Sequence, residues 1–121
     1  MTAERSEQVA GGGGAALTAR ASRDGDSAVL RLAGEIDISN SERLRGRLND
    51  LLARGRGDEV RTLVVDLSAL DFLDLSGLQA LLDARSTLHG RGGSLVLRSP
   101  TRRVRRLLDL LDDARALLVE S

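Results

Sequence analysis

Two short apolar runs, "LVV" at residues 63–65 and "LVL" at residues 95–97, constrain the fold of this chain most strongly. An uninterrupted apolar run of this length is typical of a strand that is covered on both faces inside a sheet. Each run is followed by a segment in which leucines recur with helical spacing. Strand–helix–strand repeats favour parallel pairing with right-handed crossovers. The sequence therefore predicts an α/β fold.

Two alternating runs, "ALTARAS" and "AVLRLAG", precede the first of these segments. Asp24 and Gly25 stand between them and form a turn signal, and this combination predicts an antiparallel hairpin. The hairpin adds an antiparallel part to the parallel one, so the sheet is predicted to be mixed.

Three helices are predicted between and after the strands. The first begins at Ser39 and Glu42, which have the spacing of a capping box, and presents leucines on one face: Leu44, Leu48, Leu51 and Leu52. The second runs from about Ser76 to His89, and Ser76 and Gln79 have the same capping spacing.

The third helix is predicted to follow Ser99 and Pro100, a cap and a favoured first-turn proline. Its apolar face consists of Val104, Leu107, Leu108 and Leu111.

The last segment, residues 117–119, is compatible with a short strand or with a helical tail. Residues 1–14 are polar and end in four glycines, which are costly to order, so they are predicted to be a disordered tail ahead of one domain at residues 15–121.

Composition excludes several classes of function. The chain of 121 residues has one aromatic residue, Phe72, and 18 basic against 18 acidic residues. It therefore lacks both the stacking platforms and the positive charge that nucleic-acid binding requires, and we expect no direct contact with nucleic acid. There is no cysteine and His89 is the only histidine, so no metal site or other cofactor is expected.

The first ten residues contain no apolar core of signal-peptide length, and no apolar stretch approaches the roughly 20 residues that span a bilayer. We therefore expect a cytoplasmic protein without a membrane span. The basic cluster "RRVRR" at residues 102–106 is an alternative site for nucleic acid or acidic lipid, but its spacing also fits the solvated face of the third helix.

The segment "LDFLDLSGLQALL" at residues 70–82 carries the strongest candidate for chemistry. Ser76 stands where a buried strand gives way to a helix, between Asp74 and Gly77. One interpretation is that Ser76 caps the helix, which is worth about 1 kcal/mol. Another is that it accepts a phosphoryl group, which a helix N-terminus tolerates because of its free N–H groups and positive dipole end. The residues alone leave both open.

A Ser-His-Asp hydrolase built from Ser76, His89 and Asp74 is rejected. At a rise of 1.5 Å per residue, His89 is roughly 20 Å from Ser76 along the predicted helix, which is beyond hydrogen-bond reach. No catalytic residue is predicted, and the protein is not expected to be an enzyme.

Two segments together resemble a known family. "LAGEIDISNSERLR" and "VVDLSALDFLDLSGLQALL" are similar to the motifs of the STAS domain of bacterial anti-sigma factor antagonists, and "GGSLVLRSPTRRVRRLLDLL" fits the strand and helix that follow. The resemblance covers about residues 15–120. It implies a single-domain STAS-like α/β fold, with a mixed four- to five-stranded sheet and helices packed mainly on one face.

The resemblance also implies a partner-switching function. The unphosphorylated antagonist binds an anti-sigma factor that is a serine kinase, phosphorylation of one serine ends the binding, and a PP2C-type phosphatase restores it. By position, Ser76 matches the phosphorylated serine and Asp74 the acid two residues before it. Asp37 matches the aspartate of the first motif, and Gly77 matches the glycine of the turn.

The chain departs from the family at Leu75, where another serine is common. This removes an alternative acceptor and places an apolar group on the predicted partner-binding surface of Asp37, Asp74, Leu75, Ser76 and Gly77. An alternative function is that of a scaffolding STAS protein in a stressosome-like or transporter-associated complex, in which Ser76 is only a helix cap.

Overall fold

The computed structural model describes residues 2–10, 16–53, 59–111 and 117–120. Its elements alternate largely as the sequence predicts, with strands first and helices between the later strands. In chain order they are β1 (Thr2–Ala10), β2 (Ala16–Asp24), β3 (Ser27–Ile36), α1 (Ser41–Leu52), β4 (Thr62–Leu73), α2 (Leu75–Gly90), β5 (Ser94–Arg98), α3 (Arg102–Leu110) and β6 (Leu118–Glu120).

The strands form one mixed sheet in the order β1-β2-β3-β4-β5-β6. The predicted hairpin is confirmed: β2 and β3 pair antiparallel, and Gly25 adopts the positive φ of 62° at the turn. The pairs β3–β4, β4–β5 and β5–β6 are parallel, with α1 and α2 in the first two crossovers. The α/β class and the mixed sheet are therefore confirmed, and β2–β6 are the predicted strands.

The first strand of the sheet differs from the sequence prediction. A disordered tail is predicted for residues 1–14, but Thr2–Ala10 forms β1 and pairs antiparallel with the whole length of β2. The pairing uses backbone groups, which any non-proline residue supplies, so the polar sequence gives no hydrophobic signal for it. The four glycines at residues 11–14 lie outside the described residues.

The core is aliphatic and lies on one face of the sheet. Buried residues alternate along β2, β3 and the first half of β4, and they join the apolar sides of α1 and α2 in one cluster. The helices therefore pack mainly on this face. The largest of the fully buried side chains are all Leu or Ile, and they include Leu17, Leu30, Leu32, Ile36, Leu44, Leu48, Leu63, Leu67, Leu70, Leu78, Leu81 and Leu88.

A row of opposite charges crosses the other face of the sheet. Arg31, Asp66, Arg98 and Glu120 are successive cross-strand partners in β3, β4, β5 and β6. Arg31 Nε lies 3.9 Å from Asp66 Oδ2, and Arg98 Nε donates to Glu120 Oε1 at 2.7 Å. Opposite charges directly across a sheet stabilise their pairing modestly.

Two helices begin one or two residues later than the sequence predicts. The N-cap of α1 is Asn40 rather than Ser39, and its side chain makes no hydrogen bond to the first turn. The N-cap of α3 is Thr101 rather than Ser99, because Thr101 Oγ1 accepts from Val104 N at 3.2 Å and donates to the Leu70 carbonyl at 3.1 Å. Ser99 instead has a positive φ of 53°. The sequence does not decide between a strand and a helical tail for the last segment, and in the structure Leu118–Glu120 forms the strand β6.

Candidate functional site

The candidate site is built where two neighbouring parallel strands end. Ile36 and Leu73 are the last residues of β3 and β4 and are register partners. The backbone N–H of Asp74 donates to the Ile36 carbonyl at 3.1 Å, so the chain leaves both strands at the same place. The segment that starts at Asp37 and the segment that starts at Asp74 therefore lie side by side, as expected beyond the carboxyl ends of parallel strands.

Asp74, not Ser76, is the N-cap of α2. Asp74 Oδ1 accepts from the Gly77 backbone N–H at 3.1 Å. A hydrogen bond from the backbone N–H three residues later is the usual bond of an N-cap side chain. The helix therefore begins at Leu75, and Ser76 is its second residue. The predicted capping box is also absent, since Gln79 Nε2 donates to Asp83 Oδ1 at 3.1 Å. The reason is that aspartate is as good a cap as serine and stands at the strand end.

The Ser76 hydroxyl is held by the same carboxylate. Ser76 Oγ donates to Asp74 Oδ1 at 2.5 Å, and the serine is half-buried. One oxygen of Asp74 thus accepts from both Ser76 Oγ and Gly77 N. The hydroxyl is oriented at a helix N-terminus beside a carboxylate, and it remains partly accessible to solvent.

Gly77 is required by the close packing of α2 on the strand ends. A Cβ atom at this position would lie 2.5 Å from Ile36 Cγ2 and 2.5 Å from Leu73 Cδ1. Such a contact is far shorter than carbon atoms tolerate. The absence of a side chain at Gly77 therefore lets the first turn of α2 approach both Ile36 and Leu73.

Asp37 organises the turn between β3 and α1. Its Oδ1 accepts from Ser39 N at 2.8 Å and from Ser39 Oγ at 2.5 Å, and its carbonyl accepts from Ser41 N at 2.9 Å. The fully buried Asn40 donates from Nδ2 to the Glu35 carbonyl at 3.0 Å and accepts from Asp37 N at 3.1 Å. Asp37 is thus a structural residue of this turn in addition to its predicted place on a partner-binding surface.

Two large apolar side chains project from the site. Leu75 is 58% exposed, and Ile38 in the neighbouring turn is 82% exposed. Ile38 is not among the residues predicted from the sequence. Ile38 could have been found by comparing Asp37-Ile38-Ser39 with Asp74-Leu75-Ser76, because in both an aliphatic residue separates an aspartate from a serine.

Neither a Ser76–His89 pair nor a metal-binding group of side chains is assembled among the described residues. His89 lies in the last turn of α2, and Ser76 lies in the first. Among the described residues, no three His, Asp or Glu side chains are grouped in a way that would hold a metal ion. No helix within those residues has the length and apolar character needed to cross a membrane.

Comparison with known proteins identifies the family. The STAS domain model matches residues 18–117. An anti-sigma F factor antagonist of Paenibacillus polymyxa is 29% identical over 82 residues, which cover 68% of each chain. The structure of an anti-sigma factor antagonist from Mycobacterium paratuberculosis is similar at a TM-score of 0.74 and 24% identity, covering 86% of this chain and 85% of that one. The anti-sigma factor antagonist SpoIIAA in its unphosphorylated form superposes at a TM-score of 0.68 and 23% identity, covering 81% and 83%. The chain therefore belongs to the STAS domain family.

Proposed function

We propose that this STAS protein is an anti-sigma factor antagonist whose activity is controlled by phosphorylation of Ser76. In its unphosphorylated form it binds an anti-sigma factor that is also a serine kinase. Phosphorylation of Ser76 ends the binding, and a PP2C-type phosphatase reverses the modification. The observation that carries the proposal is the hydrogen bond of Ser76 Oγ to Asp74 Oδ1 beside the exposed Leu75.

The similarity to relatives supports the regulatory part of this proposal. The Paenibacillus polymyxa protein and a Lysinibacillus sphaericus protein, 28% identical over 82 residues, are both anti-sigma F factor antagonists. A protein with that role acts by binding a partner, which requires an exposed surface and no catalytic group of its own. The projecting side chains of Ile38 and Leu75 are suited to such a surface.

The hydrogen bonds at Ser76 explain how phosphorylation would act. In the transfer, Ser76 Oγ forms a bond to the γ-phosphorus of ATP, the bond to the β–γ bridging oxygen breaks, ADP leaves, and the hydroxyl proton passes to Asp74 or to solvent. The phosphorylated oxygen has no hydrogen to donate to Asp74. The new group adds roughly 1.5 to 2 negative charges beside that carboxylate.

The phosphorylated protein is therefore expected to have a lower affinity for a partner whose surface fits the unmodified serine. Two anionic groups at Asp74 and Ser76 would have to be desolvated against the partner, next to the apolar contacts of Ile38 and Leu75. Like charges and imperfectly paired polar groups at an interface cost several kcal/mol. The N-terminus of α2 stabilises the phosphate itself, so the domain remains folded while the affinity falls.

Partner capture with three proteins tests the proposal. Wild type, Ser76→Ala and Ser76→Asp are each used to capture partners from a lysate of the source cells, and the captured proteins are identified by mass spectrometry. We expect an anti-sigma factor kinase with wild type, persistent capture in the presence of ATP with Ser76→Ala, and at least about tenfold weaker capture with Ser76→Asp, which corresponds to about 1.4 kcal/mol.

Ser86→Asp is the matched control, since Ser86 is exposed on the same helix and lies far from the strand ends. It adds the same charge and should leave capture unchanged. Equal capture by all four proteins, with a large assembly or a transporter ATPase in place of a kinase, would support the scaffolding alternative and contradict the switch.

A further inference from the structure

Three triplets in this chain have the pattern aspartate, aliphatic residue, serine. They are Asp37-Ile38-Ser39, Asp66-Leu67-Ser68 and Asp74-Leu75-Ser76. The pattern alone does not distinguish between them. The structure does, because it shows which of the other two triplets has surroundings like those of Asp74-Leu75-Ser76.

The triplet at residues 66–68 lies inside β4, and Leu67 is fully buried there. Ser68 is about five residues before the end of the strand, so it is roughly 16 Å from the turns at a rise of 3.3 Å per residue. The two remaining triplets each begin directly after the last residue of a strand, and their central residues, Ile38 and Leu75, are exposed.

The hydroxyl groups of these two triplets are held in the same way. Ser39 Oγ donates to Asp37 Oδ1 at 2.5 Å, and Ser76 Oγ donates to Asp74 Oδ1 at 2.5 Å. Both serines are half-buried. Ser41, the only other hydroxyl residue between β3 and the second residue of α1, is 5% exposed and cannot reach a kinase without movement of the helix.

The two triplets also belong to one surface. The register pair Ile36 and Leu73 and the hydrogen bond from Asp74 N to the Ile36 carbonyl place them on neighbouring strand ends. A protein that binds Ile38 and Leu75 together would therefore have both serines near its contact area.

From this repeated arrangement we propose that Ser39 is a second phosphate acceptor, modified by the same serine kinase that modifies Ser76. The inference rests on the proposed function, because it requires a kinase that docks on this surface. Ser39 Oγ attacks the γ-phosphorus of ATP, the bond to the β–γ bridging oxygen breaks, ADP leaves, and the hydroxyl proton passes to the Asp37 carboxylate and on to solvent.

The consequences of the two modifications differ because the serines differ in position. Ser76 lies inside the first turn of α2, whereas Ser39 precedes the N-cap Asn40 of α1. A phosphate on Ser39 would displace the hydroxyl from Asp37, which keeps the bond from Ser39 N. The charge would stand beside Ile38 and outside the first turn of α2, so it would lower the affinity less than a phosphate on Ser76 does: Ser76→Ala would keep its partner in the presence of ATP, and the doubly modified protein would bind least.

The test uses the anti-sigma factor kinase recovered by partner capture, purified and supplied with ATP. Its substrates are wild type, Ser76→Ala, Ser39→Ala, the double variant and the control Ser68→Ala. Trypsin cleaves after arginine and separates the candidates, because residues 32–43 contain Ser39 and Ser41 while residues 62–85 contain Ser68 and Ser76. Fragmentation of each peptide then locates the phosphate, and circular dichroism verifies that each variant is folded.

We expect wild type and Ser68→Ala to take up as many as two phosphates, each single variant at Ser39 or Ser76 to take up one, and the double variant to take up none. A single phosphate on wild type, with none on Ser76→Ala, would overturn the assignment of Ser39 and leave the proposed function standing. Absence of phosphate on every substrate would overturn both.

Discussion

The backbone N–H of Asp74 donates to the carbonyl of Ile36 at 3.1 Å, and this bond joins the start of α2 to the end of the neighbouring strand β3. The Asp37 turn and the Asp74 turn therefore form one surface, although 36 residues lie between them in the chain.

Gly77→Ala is expected to destabilise the protein. The added Cβ would meet Ile36 and Leu73 at 2.5 Å, and overpacking of this kind costs about 1–3 kcal/mol. Urea unfolding at equilibrium measures the loss. Gly46→Ala is the control, because Gly46 is in α1 and a Cβ there meets no atom within 4 Å. That change should be neutral or stabilising by up to about 1 kcal/mol, and equal effects at the two glycines would contradict the packing argument.

Asp74→Ala is expected to lower the free energy of unfolding by about 1 kcal/mol, because α2 loses the capping bond from Gly77 N to Asp74 Oδ1. Asp74→Asn retains an oxygen at the same position and should retain most of the stability. Thermal and urea unfolding compare the two variants with wild type. If asparagine were as damaging as alanine, the negative charge rather than the capping geometry would be what stabilises this helix end.

Ile38→Ala and Leu75→Ala are expected to weaken partner binding without changing stability. Both side chains are largely exposed, so their truncation should alter the free energy of unfolding by no more than about 0.5 kcal/mol. If they anchor the partner, each change should reduce affinity about fivefold or more, because alanine buries less apolar area in the complex. Isothermal titration calorimetry with the captured kinase measures this effect.

Leu110→Ala serves as the control for these two variants, since Leu110 is 75% exposed at the end of α3 and is not part of either turn. It should leave the affinity unchanged. A loss of affinity at Leu110 that equals the losses at Ile38 and Leu75 would place the partner on a different surface.

Asp66 is expected to make stability depend on pH in the acid range. Burial raises the pKa of the Asp66 carboxyl, but hydrogen bonds from Ser68 and the charges of Arg31 and Arg98 outweigh burial and hold the pKa below its usual range. A carboxyl with a lowered pKa in the folded state stabilises the protein above its unfolded pKa of about 4 and loses that effect as the pH falls through the folded pKa. Asp66→Asn should therefore be less stable than wild type near neutral pH, and the difference should shrink below about pH 4. Urea unfolding across this range measures it, and a difference independent of pH would contradict the role of the charge.

Much of the architecture follows from hydrophobic patterning, which is a property of the sequence. The alternation in β2 and β3 and the leucine spacing of α1 and α2 reflect the single buried face on which the core is built. The strand β1 was not predicted, because its pairing depends on backbone hydrogen bonds that leave no mark on side-chain composition.

The helix starts were predicted to within two residues, and the errors have a common cause. Near each start, several residues with capping side chains stand close together, and the choice among them depends on tertiary contacts. Asn40 is directed toward the Glu35 carbonyl, and Thr101 is bound to the Leu70 carbonyl. No local pattern specifies these two contacts. At α2, Asp74 rather than Ser76 takes the cap through a local bond from Gly77 N, because both residue types are good caps and Asp74 stands at the strand end.

The sequence predicts where the candidate residues lie in the fold, but not which hydrogen bonds each of them makes. Asp37, Asp74, Leu75, Ser76 and Gly77 are found at the two strand ends. The exposure of Ile38 was missed, because an isolated isoleucine in a turn has no periodicity that shows which way it faces. Its exposure beside the Asp74 turn becomes apparent only in the folded structure.

Gly77 N and Ser76 Oγ both donate to Asp74 Oδ1, and this shared acceptor limits which substitutions the protein can tolerate in evolution. A single oxygen atom supports the start of a core helix and positions the hydroxyl of the proposed switch. Substitutions that would tune one of these properties also disturb the other. Variation that adjusts partner choice is therefore expected to accumulate more freely at the exposed Ile38 and Leu75, whose truncation should change stability little, than at the aspartate between the strand and the helix.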